Sequence, residues 1–271
     1  MPEKMRGTKA GIGSQLRLEI GAAPAYRWPQ APSTEGPEMN PDYNAPPLNP
    51  LPPVVWLLVL PIVAVEIVLS LGTRGIVGGP AATGWRLAAL QDYSFFDPAF
   101  EWMLENRTFP PELLVRFISY PFVHGSFTHA LLAVVFLLAL GKFVGEVFRA
   151  WALVAVFFAS AIAGALAYGL VLDTRVPLFG AYPAVYGLIG AFTFILWARL
   201  GAMRADRRRA FVLIGFLMLF QLVFGIVNWL LFGSTSFVWV ADLAGFGAGF
   251  LLSFVVSPGG WSAVLRRLRQ P

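Results

Sequence analysis

The chain has 271 residues, 57% hydrophobic and 13% charged, with 24 Phe, 9 Trp, no Cys and a formal net charge of +5. Soluble domains carry about 25% charged residues, so a water-soluble globule, a disordered chain and a disulfide-built secreted scaffold are excluded, as is any thiolate nucleophile or thiolate-bound metal. The positive charge gathers at the ends of apolar segments, which is a pattern of membrane topology rather than of nucleic-acid binding.

Residues 1–53 form a polar, Pro-rich leader in which prolines at 46, 47, 50, 52 and 53 oppose helix, so disorder or extended chain is expected. The leader has no apolar core of a secretory signal, and Met39 is an alternative start. Six apolar runs follow, at about 54–71, 120–143, 150–172, 181–197, 211–232 and 237–256. About 20 residues cross a bilayer as helix, so each is expected to span. The fourth run is the shortest, as suits a helix enclosed by the others. These runs define an all-α, polytopic domain over 54–257, with a basic tail at 258–271. Fifteen of the twenty Lys and Arg residues fall in the leader, the second and fourth connections and the tail. Both termini are therefore expected in the cytoplasm.

The first connection, 72–118, is long and aromatic. Asp97-Pro98 reads as a helix start, with Asp97 as cap and Pro98 in the first helical position. Phe96, Phe100, Met103 and Leu104 then share a face. That predicts an amphipathic helix at the membrane interface, with a small cap packed on the bundle as the alternative.

Ionisable groups inside apolar spans are costly. Glu66, His124, His129 and Asp242 are the main ones here, beside neutral Gln221 and Asn228. Glu66 is expected to bond to a neighbouring helix rather than to carry protons. Asp242 is the sole charge in the sixth span, where Ala241, Gly245 and Gly249 recur every four residues. Gly187 and Ala191 make a second small-residue stripe in the fourth span. Such stripes let helices approach backbone to backbone, which predicts a tight seam between these two spans.

Three segments carry a family resemblance: Phe122-Val123-His124-Gly125-Ser126-Phe127-Thr128-His129, Gly180-Ala181-Tyr182-Pro183-Ala184-Val185-Tyr186-Gly187-Leu188-Ile189-Gly190, and Ala241-Asp242-Leu243-Ala244-Gly245-Phe246-Gly247-Ala248-Gly249. In their order and on their spans they resemble the rhomboid intramembrane serine proteases. The resemblance implies a six-helix bundle with a serine nucleophile atop the fourth helix and a histidine base on the sixth. Here those positions hold Tyr182 and Asp242, and Pro183 follows where the family has glycine. The second-span oxyanion pair reads His129 and Ala133. Tyr186 keeps the place of the tyrosine that packs under the family's catalytic histidine. Gly187, Gly190, Gly245 and Gly249 are read as helix-packing or substrate-contact positions.

An unactivated phenol is a poor nucleophile. The resemblance thus implies a pseudoprotease that binds transmembrane segments of client proteins, as inactive rhomboids and derlins do, through a lateral gate between its second and fifth spans. An active protease with a non-standard site is the alternative. Tyr182 is expected to donate a hydrogen bond to Asp242 and so to brace the fourth helix against the sixth. No cofactor, metal or nucleic acid is implied; the partners are a client helix and the lipid bilayer. Without an organellar targeting feature, a bacterial cytoplasmic membrane is the expected host.

Overall fold

The computed structural model describes residues 50–233, 237–260 and 262; the leader up to residue 49, with Met39, and most of the basic tail lie outside them. Ten α-helices are described: α1 (Pro53–Thr73), α2 (Trp85–Tyr93), α3 (Asp97–Asn106), α4 (Pro111–Leu114), α5 (Arg116–Ser119), α6 (Phe127–Gly145), α7 (Ala150–Val171), α8 (Tyr182–Ala202), α9 (Val212–Phe232) and α10 (Trp239–Val256). Six of them, α1, α6, α7, α8, α9 and α10, are long and apolar enough to cross a membrane.

Two expectations about the spans change. The second starts at Phe127 rather than near residue 120, because Tyr120–Phe122 forms a short 3-10 turn and Val123–Ser126 runs as non-helical chain. Ser126 then caps α6 by accepting the His129 backbone N–H at 3.2 Å, which is ordinary capping chemistry. Nor is the fourth span the shortest: α8 has 21 residues against 18 in α10. Its enclosure is nonetheless as expected, since 56% of its apolar stretch is buried, the largest share of any span.

The bundle is built around α8, with α7 and α10 packed on it and α1 joined through α6. Small residues make the closest approach possible. A Cβ at Gly245 would collide with the Pro183 carbonyl oxygen, one at Gly249 with that of Gly187, and one at Gly190 with that of Phe246. The tight seam of α8 and α10 is therefore present as backbone contact, and no larger residue fits those positions without separating the helices.

The first connection forms a cap rather than one lone amphipathic helix. Phe95, Phe100 and Phe117 make a cluster with ring centroids 4.9–5.8 Å apart. Phe100 and Phe95 sit over Gly169 of α7, where a Cβ would come within 2.6 Å of the Phe100 ring. On α3 itself, Phe100 and Met103 are buried while Trp102 and Leu104 face outward. Asp97 is not the N-cap: Phe96 occupies that position, and Asp97 is the first helical residue. Its Oδ2 instead accepts the Thr174 N–H at 2.9 Å, from the chain between α7 and α8. Phe95 and Leu178 exchange two backbone hydrogen bonds, 3.0 and 2.8 Å. The cap is thus stitched to the segment that leads into α8.

Candidate functional site

The chain enters α8 through Phe179-Gly180-Ala181, and this turn builds the site. Gly180 has φ +92°, a region favouring glycine, and donates its N–H to Tyr120 O at 2.9 Å. A Cβ there would lie 2.7 Å from His129 Cε1, so glycine is also what lets the imidazole approach. The Ala181 N–H donates to His124 Nε2 at 3.3 Å. Burial, helped by neighbouring His129, holds the His124 pKa down to about 4. Its ring is neutral near pH 7 and available as an acceptor.

Tyr182 opens α8 with its ring stacked on that of His129, centroids 4.9 Å apart and planes 16° from parallel. Its phenol makes no hydrogen bond among the described residues, so the expected bond to Asp242 is not formed. Asp242 is fully enclosed on α10, and its Oδ2 accepts from Gln221 Nε2 of α9 at 2.8 Å. The same Gln221 nitrogen lies 3.0 Å from the Tyr186 hydroxyl, to which it donates. The polar tie therefore runs from α10 to α9 and α8 through an amide. Tyr182 stands outside it because its ring is spent on the imidazole. Asp242 Oδ1, Gln221 Oε1 and His129 Nδ1 are buried without partners.

His129, Tyr182, Gln221, Asn228 and Asp242 line one cavity of about 260 Å³, walled on the α9 side by Phe220 and Phe224. Ala133, one helical turn from His129, is buried in the core and offers no hydrogen-bond donor where the second oxyanion position falls. Gly187, Gly190, Gly245 and Gly249 lie in the α8–α10 seam. They pack helices and do not face the cavity.

A comparison with protein families matches the Rhomboid domain over residues 111–259, more than half of the chain. The chain belongs to the rhomboid family. No curated protein matches it. As a rhomboid-family member it is an integral, multi-pass membrane protein. The matched region includes His129, Tyr182 and Asp242, which line the one cavity as an imidazole, a phenol stacked on it and a carboxyl bonded to an amide.

Two partners escaped the sequence. Gln221 was visible as a lone polar residue in an apolar span, but nothing local pointed to Asp242. Glu66 pairs with Arg86 of α2, in the cap, rather than with a neighbouring span. Arg86 Nη2 donates to Oε1 at 2.7 Å and Nη1 to Oε2 at 3.0 Å. Ser70 adds a hydroxyl at 2.6 Å, and Arg86 Nη1 also reaches the His124 carbonyl at 2.7 Å. A two-pronged ion pair with further hydrogen bonds from the same guanidinium is the form in which a buried charge is tolerated. It also holds the backbone of His124, whose ring Nε2 accepts the Ala181 N–H.

Proposed function

We propose that this rhomboid-family protein is a pseudoprotease that holds transmembrane segments of client proteins without cleaving them. The observation that carries this reading is the arrangement of Tyr182. The side chain in the nucleophile position lies flat on His129, and its phenol has no base within hydrogen-bonding reach. Acyl transfer needs an activated nucleophile and donors aimed at the developing oxyanion. Asp242 accepts a hydrogen bond where the family's imidazole would relay a proton. Pro183 has no N–H, and the Ala133 side chain has no polar atom.

Ser126, three residues before His129, is engaged as well, since its Oγ serves as the helix cap. The binding half of the apparatus is kept. A mainly apolar cavity with a few polar side chains lies between the core and α9, and Phe216 and Phe224 of α9 are exposed. Uncovered aromatic surface of that kind suits contact with an apolar helix. The distribution of Lys and Arg supports cytoplasmic termini, and the host we propose is a bacterial cytoplasmic membrane.

The test is reconstitution in liposomes with a tagged single-pass reporter and a photo-reactive residue at position 224. Light-dependent adducts of intact reporter are expected, with no fragments and no labelling by a fluorophosphonate serine probe. Two discrete reporter fragments, absent from a Tyr182→Ala/Asp242→Ala double variant, would make the protein a protease.

A further inference from the structure

The cavity beside Asp242 is bordered by acceptors that the protein leaves unused. Asp242 carries two carboxylate oxygens and Gln221 satisfies one. The other, Oδ1, is buried with no donor, and Oε1 of Gln221 is in the same condition. Buried polar atoms are normally paired, and here both belong to side chains that line one cavity of about 260 Å³. The helix that closes this cavity is held weakly. Only 11% of the fifth apolar stretch is buried, and its two side-chain hydrogen bonds to other helices, among the described residues, both come from the Gln221 amide.

From these observations we infer that the client helix this site selects carries a hydrogen-bond-donating side chain, Asn, Gln, Ser or Thr, at the depth of Asp242. That donor fills Oδ1 and can take over the role of Gln221. The inference rests on the client-holding reading above and narrows it. The physical reason is the solvent. In hydrocarbon a lone donor on the client has no water to bond, so it gains from the vacant carboxylate oxygen. A wholly apolar client gains nothing there and must still displace α9. Hydrogen bonds between membrane helices are modest, so a preference of roughly three- to tenfold is expected. In the family pattern an imidazole stands at this position, so the acceptor pair is a property of this chain's own Asp242 and Gln221.

The experiment uses the full chain with the photo-reactive residue at position 224, in phosphatidylethanolamine–phosphatidylglycerol vesicles. Two biotinylated Leu/Ala single-pass helices compete for it, identical except for Gln or Leu at the central position. The Gln helix should be captured about three to ten times more than the Leu helix. Asp242→Leu should bring that ratio to about one, and Gln221→Leu should raise capture of the Leu helix by untying α9. The decisive comparison is between clients on the unaltered protein, so it stands even where a variant folds poorly. Equal capture of both helices would overturn the selectivity while leaving client holding intact. Capture of neither, or crosslinks only to lipid or to a second copy of the chain, would overturn both.

Discussion

The seam between α8 and α10 and the flank formed by α9 are built on opposite principles. At the seam, backbones touch through Gly190, Gly245 and Gly249, while Gly187 also makes room for Ser160 of α7. On α9, Gly215 and Gly225 face open space, with no atom within 4 Å of an added Cβ; Ile214, Leu217 and Met218 reach the core, and the Gln221 amide adds the polar tie. The seam sets the relative position of Tyr182 and Asp242. The flank leaves the way to them removable. The contrast places the rigid contacts at the seam and the least buried span at the flank.

The strongest way to break this comparison is to put bulk into both regions. Gly249→Leu drives a side chain into the Gly187 carbonyl; overpacking of this sort costs about 1–3 kcal/mol or more, and a large drop in thermal unfolding temperature in detergent is expected. Gly225→Leu on α9 should change stability by less than about 0.5 kcal/mol. Equal losses at the two glycines would erase the distinction.

The Arg86–Glu66 pair extends the rigid part outward, from α1 through the cap to the His124 backbone. Arg86→Ala leaves a buried carboxylate unpaired, at a cost of about 3 kcal/mol, and Glu66→Leu/Arg86→Met should recover most of it. The measurement is chemical unfolding of the three variants side by side.

His124 gives the pH dependence. Its folded pKa, held down to about 4 by burial, lies below the ordinary value of 6.5, so the unfolded chain binds the extra proton first. Stability should therefore be constant above about pH 6.5 and fall between 6.5 and 4, by roughly 2–3 kcal/mol in all. Unfolding midpoints across that range check it, and His124→Gln should flatten the profile.

The smallest effect belongs to Tyr182→Phe. A brace to Asp242 would make the phenol worth about 1–3 kcal/mol as a buried bonded group. With its hydroxyl unbonded and its ring stacked on His129, the loss should stay under about 0.5 kcal/mol. By contrast Tyr182→Ala, which removes the stack, should be the more damaging change.

Most of the scaffold was legible without coordinates because its signals are local. An apolar run of about 20 residues announces a span, and Gly245 and Gly249 at four-residue spacing announce a close face. Tyr182 and Asp242 could likewise be singled out from the short motifs that contain them. Asp97 shows the limit, since Asp followed by Pro suits a cap or a first helical turn equally well. Its pairing with Thr174, 77 residues away, decided the matter.

The amino-acid sequence by itself determined that this is a six-span membrane bundle, that α8 and α10 meet through small residues, and that Tyr182 and Asp242 sit in the segments that carry the family resemblance. Tertiary structure alone decided who bonds to whom: Gln221 rather than Tyr182 on Asp242, and Arg86 of the cap on Glu66. The reason is geometric. Periodicity and composition act within a few turns of one helix. A buried polar group takes the donor that packing brings within about 3 Å, and in both cases that donor lies some twenty residues away in the chain.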